Sequence, residues 1–93
     1  MTAEEIKSGV KVKHFKREQM TREELIASPA KYTYEILGTA IHTETEETLV
    51  IYRALYGDMA MYARPVQMFL SEVDREKYPQ VQQKFRFELK TKD

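Results

Sequence analysis

The chain reads as a small, mostly-β domain: a five-stranded bent antiparallel sheet or SH3-like barrel with one or two short helices. Three observations predict this. Several segments alternate apolar and polar residues with the period of two that marks a half-buried strand. The turn signals between them are short and polar, as in hairpins. Helical signals are confined to one capping box and one brief apolar stripe. At 93 residues with 42% hydrophobic content and ten aromatics, there is material for one small core and one domain spanning 1–93.

The elements follow in order. Residues 1–8 carry no periodic pattern and are expected as a tail. In 10–16, Val10, Val12 and His14 fall on one face and Lys11, Lys13 and Phe15 on the other. Residues 18–31 read as an inserted helical connection. Thr21-Arg22-Glu23-Glu24 is a capping box, and Ser28-Pro29 stops the helix because proline disfavours helical geometry in the residue before it. The second strand, 32–42, places Tyr34, Ile36, Ala40 and His42 on one face, with a bulge expected at Gly38. After the polar turn 43–47, residues 48–56 carry apolar groups on both faces, which predicts a central strand. Gly57-Asp58 turns the chain into a short fourth strand, 59–63. Pro65 suits a first helical position, and Val66, Phe69, Leu70 and Val73 form one helical stripe behind it. Val81, Phe85, Phe87 and Leu89 then alternate with polar residues as a last strand over 81–90.

Composition excludes several chemistries. There is no cysteine, so neither disulfides nor thiolate metal sites are available. Two histidines without ligand spacing predict no metal, and the three scattered glycines form no phosphate loop. No cofactor is implied. No apolar run reaches the ~18 residues of a membrane span, and the N-terminal residues lack a signal layout, so the expected location is the cytoplasm. Net charge is zero, with an acidic middle: residues 32–62 hold Arg53 against five acids. Lys11, Lys13, Lys16 and Arg17 could join Lys84, Arg86, Lys90 and Lys92 if the terminal strands lie together. The acidic middle counts against nucleic-acid binding, and a solvated charged face is the simpler expectation.

The candidate ligand-binding residues are His14, His42, Glu44, Tyr52, Arg53, Tyr62 and Arg64. His42 and Glu44 are two apart and would share a face of a strand, as a base and its carboxylate would; exposed hairpin-end residues look the same. Arg53 interrupts an apolar strand and so calls either for an internal partner, Glu35 or Asp58, or for an anionic ligand. Arg64 precedes the predicted helix start beside Tyr62, an arrangement suited to an anion. The tyrosines Tyr32, Tyr34, Tyr52, Tyr56, Tyr62 and Tyr78 could pave a groove or pack the core, and Met59, Met61 and Met68 read as core filling.

His14-Phe15-Lys16, Tyr34-Glu35-Ile36-Leu37-Gly38-x-Ala40-x-His42-x-Glu44-Thr45, Val50-Ile51-Tyr52-Arg53-Ala54-Leu55-Tyr56 and Arg64-Pro65-x-x-Met68-Phe69 resemble a family of small bacterial domains of unknown function. The chain departs from that pattern where Arg17 replaces a glycine after Lys16 and where Tyr62-Ala63 stand in place of a usual tryptophan. The resemblance implies a fold and no reaction. The functional expectation is a recognition module for a small anionic ligand or an extended peptide, without catalysis. The alternative is a protein-interaction subunit or homo-oligomer that uses an exposed edge strand.

Overall fold

The computed structural model describes residues 1–90. Five strands, β1 (Lys11–His14), β2 (Thr33–Ile41), β3 (Thr48–Ala54), β4 (Met61–Pro65) and β5 (Phe87–Leu89), form one sheet in the order β4-β3-β2-β1-β5. Every pairing is antiparallel. The two edge strands β4 and β5 do not pair, so the sheet stays open and does not close into a barrel. Two short helices, α1 (Arg22–Ala27) and α2 (Val66–Phe69), and two 3-10 turns, Ala3–Glu5 and Phe15–Gln19, complete the chain.

Local chemistry accounts for most boundaries. Thr21 and Glu24 cap α1 reciprocally: the Glu24 amide donates to Thr21 Oγ1 at 3.1 Å and the Thr21 amide to Glu24 Oε1 at 2.8 Å. The register of β2 on β3 slips between Ile36 and Gly38, where Gly38 takes φ +154°. One extra residue in β2 therefore forms the expected bulge. Because it shifts the alternation, Ala40 lies opposite Leu49, not on the Tyr34–Ile36 face. The buried face of β3 is Val50, Tyr52 and Ala54. The first eight residues, expected as a tail, include the Ala3–Glu5 turn, and Met1 and Ile6 pack against the core.

Two expected elements are shorter than their patterns. Pro65 is the last residue of β4, not the first of a helix, and α2 ends at Phe69, with Ser71 turning back onto the Met68 carbonyl. The last strand covers only Phe87–Leu89, although alternation runs from Val81. Residues 84–86 make one antiparallel backbone bridge to residues 71–73, and over residues 81–83 side chains take the place of a ladder. Glu18 accepts from the Gln82 and Gln83 amides at 2.7 and 2.9 Å, and the Arg75 guanidinium holds the Val81 and Gln83 carbonyls. The three methionines are corrected as well: Met59, Met61 and Met68 are 50%, 57% and 50% exposed. Met61 points away from the core because β4 turns Tyr62 inward beside Tyr52.

The core is one sheet face covered by α2 and by the approach to β5. Phe69 and Phe87, both fully buried, stack at 4.2 Å with their planes 4° apart. Tyr52 meets both edge-on at 5.2 and 5.5 Å, and Tyr34 meets Phe87 at 5.7 Å. Val12, Ile36, Val50 and Ala54 fill the remainder. A satellite cluster of Phe15, Val73 and Val81, with Tyr78 against it, fixes the irregular segment before β5.

Phe87→Ala is expected to cost about 3–5 kcal/mol, much of the ~5–15 kcal/mol available to a domain, and Phe87→Leu clearly less, both read from urea unfolding. Glu18→Ala should cost about 1 kcal/mol, since two charge-assisted hydrogen bonds are discounted for their solvent exposure. Those amides hold the Glu18 carboxyl below its ordinary 4.5. Its stabilisation is therefore present above that value and lost as pH falls through the depressed folded value, and the variant should unfold with a weaker acid dependence.

Candidate functional site

All five strands and the Phe15–Gln19 turn converge on a cleft at the β1 end of the core. His14, the last residue of β1, donates its amide to the Tyr32 carbonyl at 2.9 Å. Its ring stands edge-on to Phe87 at 4.9 Å and 4.3 Å from Phe15. The Lys16 amide donates to His14 Nδ1 at 3.1 Å. That bond fixes the neutral tautomer: Nδ1 is the acceptor, so Nε2 carries the proton and is a donor.

Tyr52 and Tyr62 are direct cross-strand partners on β3 and β4, with rings 5.6 Å apart. Tyr34 on β2 lies 5.5 Å from Tyr52 and 6.4 Å from Tyr62. Two residues beyond Tyr62, and so on the same face, Arg64 carries its guanidinium over Phe87 at 5.6 Å. Tyr32 closes the opposite wall from a left-handed backbone conformation, φ 63°, uncommon for a bulky residue. Together with Lys16 these residues line a cavity of about 230 Å³, and none of them is acidic. A second cavity of about 220 Å³ shares His14, Lys16 and Arg64 and adds Asp74, Lys77, Tyr78 and Arg86.

The electrostatics follow from burial among cations. Burial, then Lys16, Arg64 and Arg86 in that order, lower the His14 pKa from 6.5 to about 4, so the imidazole is neutral at physiological pH. Burial and the 2.8 Å hydrogen bond to Tyr56 raise the Tyr34 hydroxyl well above the usual phenol range. Burial also raises Tyr52, against an opposing pull from Arg64. Both phenols stay protonated. The cleft thus presents cations and neutral donors over an aromatic floor, which suits an anion carrying an apolar part.

Of the sequence candidates, His14, Tyr52, Tyr62 and Arg64 come together here. His42, Glu44 and Arg53 do not. Nine residues of β2, roughly 30 Å of extended chain, separate His42 from the His14 end. His42 Nδ1 accepts from the Glu44 and Thr45 amides at 3.1 and 3.2 Å and so braces the β2–β3 turn. Arg53 lies directly opposite Glu35, on the sheet face away from the aromatic core. Arg64 sits in β4 and, as expected, just before a helix start: Pro65 caps α2, which begins at Val66. Asp74, Lys77 and Phe87 are site residues that sequence reasoning did not single out, and Lys16 and Arg86 entered it only as members of a basic terminal cluster. The signal for those two was the pairing of basic terminal segments, which β1 and β5 realise; Lys92 lies outside the described residues.

A larger concavity, about 570 Å³, is elsewhere, between the Ala3–Glu5 turn, the start of β3 and α2. Among the described residues lining it Glu47 alone is charged, and they offer none of the convergent donors of the smaller cleft. Among the described residues no group of three His, Asp or Glu could hold a metal ion. Among them no helix is long and apolar enough to cross a membrane.

A family model described as a protein of unknown function, DUF1653, matches residues 10–89. The chain belongs to this family. The matched span opens just before β1 and closes with β5, so the DUF1653 domain contains the whole sheet and every residue of the cleft. No curated protein and no solved structure matches the chain.

His14 should titrate near pH 4 by NMR, while its unfolded counterpart titrates near 6.5. Protonation in that window favours the unfolded chain, so the His14 contribution to stability is complete above about pH 6.5 and lost as pH falls toward 4. His14→Asn should flatten the stability profile between those values.

Proposed function

We propose that this domain is a non-catalytic recognition module that binds a small anionic ligand, without a cofactor, in the cleft of His14, Tyr52, Tyr62 and Arg64, in the bacterial cytoplasm. The observation that carries this reading is the convergence of Lys16, Arg64 and the Nε2–H donor of His14 on a tyrosine-walled cavity with no acidic group among its described lining residues. Arg64 supplies a planar fork of donors for a carboxylate or phosphate. The ring faces and protonated hydroxyls of Tyr34 and Tyr52 supply apolar contact and hydrogen bonds. A carboxylate on an extended peptide would meet the same groups. Catalysis by His14 is disfavoured because its acceptor nitrogen is already engaged by the Lys16 amide.

A titration of isotope-labelled protein with benzoate, beside neutral benzamide, tests this reading. Benzoate should shift resonances of His14, Tyr62 and Arg64 saturably, and benzamide should not. Arg64→Met keeps cover over Phe87 and should weaken benzoate roughly tenfold or more, the worth of a charge-assisted hydrogen bond. Equal shifts from both compounds, or unchanged affinity in the variant, would count against an anion site.

A second reading has its own support. β4 is an edge strand, and Met59, Met61 and Met68 are exposed on or beside it. Such an edge suits a partner protein or a second copy. Light scattering that rises with concentration, and falls back in Met61→Lys, would favour this reading.

A further inference from the structure

We infer that the ligand is a free, small phosphate ester of a planar, ring-bearing compound, its phosphoryl group beside Arg86 and Lys77 and its ring among the tyrosines. This rests on the anion-binding reading above and names the ligand class for the same site.

The two cavities adjoin and differ in chemistry, with His14, Lys16 and Arg64 lining both. At about 220 and 230 Å³ they are nearly equal, room for one ring and one compact head group. The tyrosine side offers Tyr34, Tyr52, Tyr62 and Phe87, whose neighbouring rings lie 5.5–6.4 Å apart. Flat aromatic surfaces at such spacings receive a planar ring edge-on or offset.

The other side is strongly cationic. Lys16, Arg64, Lys77 and Arg86 line it against the single carboxylate of Asp74. His14 adds no charge there, but its Nε2–H is free to donate. Arg86 is half-buried, and its Nε is buried with no hydrogen-bond partner among the described residues. Among the described residues lining this cavity, cations thus outnumber carboxylates four to one. One carboxylate would answer only part of that surplus. A phosphate monoester carries about −1.5 to −2 charges near neutral pH and three acceptor oxygens, which matches four cations and an imidazole donor.

The test is calorimetry with phenyl phosphate, inorganic phosphate and benzoate on the full chain and on Arg64→Met, Lys77→Met and Arg86→Met, each checked for a folded amide spectrum. Phenyl phosphate should bind roughly tenfold or more tighter than either inorganic phosphate or benzoate, as two subsites filled together require. Lys77→Met and Arg86→Met should weaken phenyl phosphate severalfold and leave benzoate unchanged, while Arg64→Met weakens both. Lys77 is exposed, so that variant remains informative if Arg86→Met fails to fold. Phenyl phosphate and benzoate binding alike, with no effect of Lys77→Met, would overturn the phosphate assignment and leave the anion site standing. Silence from all three probes would remove both. Adenosine monophosphate and a phosphotyrosine peptide complete the series: tighter binding of the nucleotide supports a free ester, and binding by the peptide alone overturns it.

Discussion

The stack of Phe69 on Phe87 is the contact on which the rest of the molecule depends. β5 has only three residues, too short to hold an edge by its ladder alone, and Phe87 anchors it by burial. The same ring fixes the cleft. His14 and Tyr34 meet it edge-on, Tyr52 wedges against both phenylalanines, and the Arg64 guanidinium rests over it. The site is thus an outcrop of the core. Its side chains are ordered by the packing that stabilises the fold, which reduces the ordering cost a ligand must meet.

That placement explains the unusual state of His14. A histidine on the surface would be a pH-sensitive cation; here burial and three basic neighbours keep it neutral. Arg64 and Lys16 supply the charge, and the imidazole supplies direction. Tyr32 is part of the same economy: its left-handed backbone costs on the order of 1–3 kcal/mol and brings an aromatic wall to within 6.3 Å of the His14 ring.

Local patterns were legible in the sequence. The Thr21–Glu24 capping box, the bulge at Gly38 and the mixed apolar faces of β3 each have a cause within a few residues, and each formed as read. Tyr62 and Arg64 could be grouped as neighbours of a helix start, though what places them with Tyr52 is that alternate residues of adjacent strands share a face. What escaped depends on distant partners. The segment before β5 alternates like a strand, yet its Gln82 and Gln83 amides are claimed by Glu18, more than sixty residues earlier. Lys16 and Arg86 join the cleft only because β1 pairs with β5, and local spacing cannot reveal that pairing. The exposed methionines escaped because apolar composition says nothing about which strand becomes an edge.

The pairing of β1 with β5 has an architectural consequence. Val12 faces Leu89, and the Lys90 amide donates to the Lys11 carbonyl at 2.9 Å, so the chain enters and leaves the sheet at one spot. A domain whose entrance and exit adjoin can be spliced into a surface loop of a host protein without prising that loop apart. The cleft would travel with it intact, as a cartridge that needs only two neighbouring points of attachment.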